Sequence, residues 1–149
     1  MKWVWIIPGS FVVAIALVAI IGTMLPVKHT ASRRSQYRQS ADAVWAAIAG
    51  PQDWAPKNDP PITYEVVESV PPQRLVRRIA DKNLPFGGSW TYEVEPVAGG
   101  SSLRITENGE VYNPIFRFVS RFVMGHTRTI DETLKALGKK FGEQPGIED

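Results

Sequence analysis

Apolar positions follow three patterns along this chain, and the longest pattern lies near the C-terminus. There Ile115, Phe118, Val119, Phe122, Val123, Ile130, Leu134, Leu137 and Phe141 fall in one broad stripe at helical spacing. Arg117, Arg121, Arg128 and Lys135 fall on the opposite side. Asn113 is a suitable N-cap, Pro114 suits the first helical position, and Lys139, Lys140 and Gly142 suit the end. These signals predict one long helix from Pro114 to Phe141, roughly 42 Å at 1.5 Å per residue. Gly125 is its weak point, since an interior glycine costs about 1 kcal/mol against alanine. A kink there, or a short helix followed by a longer one, is the alternative. A stripe of that length needs a curved surface to lie on.

The second pattern is an unbroken apolar run. Trp3 to Leu25 carries no charged residue over 23 positions. As a helix it would span about 34 Å, against a hydrocarbon core of about 30 Å. Residues 1–27 are therefore expected to form a single transmembrane anchor, with Trp3 and Trp5 at one headgroup level. A cleaved signal peptide is the rival, but the apolar core is long and no small-x-small site follows it. Lys28, Arg33, Arg34 and Arg38 follow the run, and only Lys2 and the free amine precede it. The positive-inside bias then puts a single-pass protein's globular domain on the cytoplasmic side.

The third pattern is short-period alternation between these two. His29–Gln39 is β-compatible. Ser40 can cap a helix through Ala49, with Val44, Trp45 and Ile48 inward and Gly50-Pro51 ending it. Gln52–Pro61 reads as loop. Strands are expected over Ile62–Glu68 and Leu75–Ala80. Another carries Trp90, Tyr92 and Val94 on one face, and the last runs over Leu103–Val111. Asp81–Gly88 and Pro96–Ser102 join them as loop and turn. Strand, helix, antiparallel strands and long helix make an α+β domain over residues 28–142. Residues 143–149 are expected as a flexible tail.

Composition removes several functions. The chain has 149 residues, no cysteine and a formal net charge of +2. Thiol chemistry and disulfides are excluded, and the charge is too small to suggest nucleic acid. No phosphate loop, dinucleotide fingerprint or hydrolytic triad is present. His29 and His126 are far apart, with no ligand at metal spacing, so neither a metal nor a cofactor is expected.

The segment Ser40-Ala41-Asp42-Ala43-Val44-Trp45-Ala46-Ala47-Ile48 resembles the opening of SRPBCC-superfamily domains, which include START-like, Bet v 1-like and polyketide cyclase/dehydrase proteins. Pro71–Val76, Leu84–Trp90 and Ile105–Val111 are similar to a bacterial branch. The resemblance covers roughly residues 30–142. It implies a helix-grip fold, in which a curved antiparallel sheet holds a C-terminal helix over an apolar cavity. It also implies binding of lipids, sterols, polyketides or other hydrophobic molecules, and catalysis in a minority of members. One departure is visible. Only Gly50–Pro61 stands where the family usually carries a further strand pair, so the cavity could be reduced or open to a bilayer or partner.

The candidate site follows from these elements. Trp45, Tyr64, Trp90, Tyr92, Phe118, Phe122 and His126 would line the cavity, although such an aromatic set also suits a plain core. Glu107 shares a strand face with Leu103 and Ile105 and would point at His126. Together they form a candidate proton-transfer pair. Against that, Asn108-Gly109 could bulge the strand and turn Glu107 outward toward Arg121, and His126 could be a core histidine satisfied by a carbonyl. The expected function is membrane-anchored binding of a hydrophobic small molecule or lipid. A cyclase- or dehydratase-like enzyme and an interaction module with a vestigial cavity are the alternatives.

Overall fold

The computed structural model describes residues 6–58 and 61–149, with the backbone alone for residues 6–8. Among them, six strands form one curved antiparallel sheet in an α+β arrangement. The chain runs α1 (Ile6–Met24), β1 (Lys28–Tyr37), α2 (Ala41–Ala49), β2 (Tyr64–Val70), β3 (Arg74–Ile79), β4 (Phe86–Val97) and β5 (Gly100–Val111). It continues through α3 (Pro114–Val119), a π-helical turn (Ser120–Met124), α4 (Arg128–Lys140) and β6 (Ile147–Glu148). The strand order is β2-β3-β4-β5-β1-β6, so the first long strand pairs with the last.

The core lies where α2 and α4 cover the sheet. Ser40 accepts from the Ala43 amide and starts α2, which buries Val44 and Ile48 completely. Trp45 packs on this core from its margin. α4 buries Ile130, Leu134 and Leu137 against Leu103, Ile105 and Val94. The Tyr37 hydroxyl donates to the Leu134 carbonyl at 2.8 Å and ties β1 to the middle of α4.

The single long helix expected over 114–141 is corrected to two helices. Asn113 caps the first as expected, accepting from the Ile115 and Phe116 amides. After the π-helical turn, Gly125 takes φ +75°, a left-handed conformation open mainly to glycine, and the chain turns before α4. Only α4 lies on the sheet core. Phe122 and Val123, expected to face inward, are 60% and 71% exposed.

The stretch expected as a tail, residues 143–149, carries a short strand at Ile147–Glu148. β6 pairs with β1 through Arg34–Glu148 and Ser35–Ile147, and the Ser35 hydroxyl donates to the Gly146 carbonyl at 2.7 Å. Residues 50–58 and 61–63 contain no strand, and β6 partners the edge of β1. β4 and β5 extend beyond their expected bounds, because their pairing continues from Phe86–Val111 to Val97–Gly100.

Among the described residues no helix is long and apolar enough to cross a membrane. Trp3 and Trp5, and the start of the expected span, lie outside the described residues. α1 itself exposes Phe11, Val12, Leu17 and Ile20. The cations after it pair within the domain: Lys28 with Glu110, Arg33 with Asp131 and Asp149, Arg34 with Glu148, and Arg38 with Glu143.

Candidate functional site

α2 and α4 leave one end of the concave sheet uncovered by core. The inward positions there are His29 on β1, Glu107 on β5, Trp90 on β4 and Tyr64 on β2. They line a cavity of about 400 Å³ together with Ile62. Phe116, Val119, Met124, His126 and Thr129 form its other wall. The lining is mainly apolar, as in sites for small hydrophobic ligands. A neighbouring depression of about 810 Å³ is walled by Lys28, Glu65, Arg78, Asp81 and Glu110, and is charged where the first is greasy.

The polar end of the cavity is built by strand register. β1 and β5 pair without a break from Lys28–Glu110 to Tyr37–Ser101. No bulge turns Glu107 outward, and its side chain shares the inward face of Leu103 and Ile105. His29 stands opposite Gly109, and Ala31 opposite Glu107. A Cβ at Gly109 would overlap the His29 ring and come within 2.9 Å of Glu107 Oε1. The missing side chain is what lets the imidazole lie across β5. There His29 Nε2 meets Glu107 Oε1 at 3.2 Å.

His126 reaches the same place from the turn after Gly125. Its ring stacks on His29 with centroids 3.9 Å apart and planes 20° from parallel. Burial sets the electrostatics of all three groups. It raises the Glu107 carboxyl above its usual range, against the opposing pull of a Trp90 hydrogen bond and of His126. It lowers the His29 imidazole. It also lowers His126, aided by His29 and Arg121 and opposed by Glu107. Each group is moved toward its uncharged form. Such a cluster offers a carboxyl group and imidazole nitrogens as hydrogen-bonding partners at the polar end of an apolar cavity.

The structure thus gathers Tyr64, Trp90, Glu107 and His126 around one cavity. Trp45, Tyr92, Phe118 and Phe122 lie elsewhere. Tyr92 is 4% exposed within the core, where burial pushes its hydroxyl up to about 12. Phe118 pairs with Phe122 at 4.9 Å on the outer segment, because α3 does not continue into α4. His29, Ile62, Phe116, Val119 and Met124 line the cavity without having been singled out by the sequence. The spacing Phe116–Val119 on α3 was one available signal, whereas only the β1–β5 register sets Gly109 across from His29. Among the described residues no group of three or more His, Cys, Asp or Glu side chains is placed to hold a metal ion.

No family model matches the chain, and no curated protein matches it. Solved structures do. A conserved protein from Geobacillus kaustophilus superposes with a TM-score of 0.62 at 12% identity, over 81% of this chain and 100% of its own. The Mll3558 protein from Rhizobium loti gives 0.55 at 21% identity, over 74% and 96%. CalU16 from Micromonospora echinospora gives 0.53 at 17% identity, over 80% and 78%. Identities this low show the fold alone, and the fold shared with these proteins is a sheet-dominated α+β domain compatible with a helix grip.

Proposed function

We propose that this chain is a membrane-anchored helix-grip domain of SRPBCC type that binds a hydrophobic small molecule or lipid without catalysis. The observation that carries the reading is the cavity of about 400 Å³, apolar along its walls and polar at one end. Its size falls in the range of about 300–1,000 Å³ common to small-molecule sites. The ligand class is an amphiphile with one neutral hydrogen-bonding group, placed against Glu107, His29 and His126. Anchoring draws on α1, whose 19 residues make about 28 Å of helix. The cytoplasmic side draws on Lys28, Arg33, Arg34 and Arg38, because the positive-inside bias acts on the inserting chain before these cations find their partners.

Mass spectrometry of lipids that co-purify with the detergent-extracted full chain tests this. A defined amphiphile is expected from the native chain and is lost from Val119→Trp, which fills the cavity. No ligand in repeated preparations would overturn it. The stack of His126 on His29, which itself meets Glu107, favours a second reading, proton transfer by Glu107 with His126 in a cyclase- or dehydratase-like enzyme. Turnover that vanishes in both Glu107→Gln and His126→Ala would establish it.

A further inference from the structure

The segment Pro114–Met124 is apolar on both of its sides. Inward, Phe116, Val119 and Met124 wall the cavity. Outward, Phe116, Phe122, Val123 and Met124 are 48%, 60%, 71% and 52% exposed. A thin layer of greasy side chains therefore separates the cavity from the outside. The segment contains two arginines and no carboxylate.

Its position is fixed relative to α1. The Arg117 guanidinium donates to the Gly22 carbonyl at 3.1 Å, the Leu25 carbonyl at 3.0 Å and the Tyr112 carbonyl at 3.0 Å. A cation on the last carbonyls of a helix complements its dipole. Gly22 also lies so close to Pro114 that any Cβ there would overlap the Pro114 carbonyl. The end of one exposed apolar helix is thus joined to the start of an exposed apolar segment.

We propose that Pro114–Met124 seats in the headgroup–acyl boundary of the bilayer that α1 enters, so that the wall of the cavity faces lipid. This rests on the anchor reading given above. The chemistry fits an interfacial element: exposed Phe, Val and Met side chains, with Arg121 exposed among them for anionic headgroups. A hydrophobic ligand then passes between bilayer and cavity past Phe116 and Met124 without crossing water.

The chain has no cysteine, so a single introduced thiol labels one site. Full-length Val123→Cys, Phe122→Cys, Leu17→Cys and Glu95→Cys variants carry an environment-sensitive fluorophore. They are reconstituted in vesicles of phosphatidylcholine with phosphatidylglycerol and nitroxide lipids of known depth. Labels at 122 and 123 are expected to be blue-shifted and quenched most by shallow nitroxides. The label at 17 is expected to be quenched by deep ones, and the label at 95 by neither. Water-exposed labels at 122 and 123 with a lipid-quenched label at 17 overturn this proposal and leave the anchor standing. Labels at 122 and 123 that are shielded from water but insensitive to lipid nitroxides indicate a protein partner and also overturn it. A water-exposed label at 17 removes the anchor, and this proposal with it.

Discussion

The ring of His29 lies flat on the ring of His126, 3.9 Å between centroids, joining the start of the first strand to the turn before the last helix. The contact closes the polar end of the cavity. It also sets a condition on charge, because two neutral imidazoles stack readily and two imidazolium ions repel.

That condition gives a pH dependence. Both histidines have folded pKa values lowered from 6.5. Below 6.5 the unfolded chain takes up protons that the folded chain resists. Their contribution to stability is full above 6.5 and is lost as pH falls from there through the lowered values. Glu107, raised from 4.5, works in the other direction: its contribution is full below 4.5 and is lost as pH rises through the raised value. Urea midpoints measured across pH 4–8 are expected to fall below pH 6.5 for the native chain. The fall is expected to be shallower in a His29→Gln, His126→Gln variant. Glu107→Gln is expected to remove the opposing loss on the alkaline side.

Gly109→Ala puts a methyl where the His29 ring lies. Overpacking of this kind costs about 1–3 kcal/mol. The variant is expected to fold with a lower urea midpoint. The imidazole signals of His29 and His126 are expected to move together in NMR spectra, because displacing one ring breaks the stack. A shift of the His29 signals alone would show that the two rings are independent.

How much of this was legible in the sequence differs by element. The cap at Ser40, the alternation of Trp90, Tyr92 and Val94, and the cap at Asn113 were local signals, and local physics decided them. The break at Gly125 was visible as a cost of about 1 kcal/mol but not as an outcome, because it depends on whether the sheet offers a surface to residues 115–123. It does not. β6 was invisible, since two residues gain strand geometry only from the edge of β1. The site divides in the same way. Glu107 followed from the period of its strand. His29 did not, because its partner Glu107 is 78 residues away, and only the β1–β5 register brings them together.

Tyr37→Phe tests the tie between sheet and α4. The hydroxyl is buried and donates to the Leu134 carbonyl. Removing it takes away one buried hydrogen bond, worth about 0.5–1.5 kcal/mol, while the carbonyl keeps its helical partner within α4. The loss is expected in urea unfolding, with cavity binding preserved, because Leu134 does not line the cavity.

Deleting Gly146–Asp149 tests the last strand. It removes Ile147 from its packing on the core, the Ser35–Gly146 hydrogen bond and the pairs made by Glu148 and Asp149 with Arg34 and Arg33. Most of those charges are exposed and contribute little. The half-buried isoleucine and the hydrogen bond set the scale, about 1–3 kcal/mol together. The edge of β1 then presents unpaired backbone groups, so concentration-dependent association is expected in light scattering. The cavity is spared, because β6 pairs at Arg34 and Ser35 while His29 stands about 17 Å away along β1 at 3.3 Å per residue. Lower stability with unchanged ligand recovery is therefore the expected result. Loss of both would mean that the strand edge and the cavity respond as one unit, linked along β1.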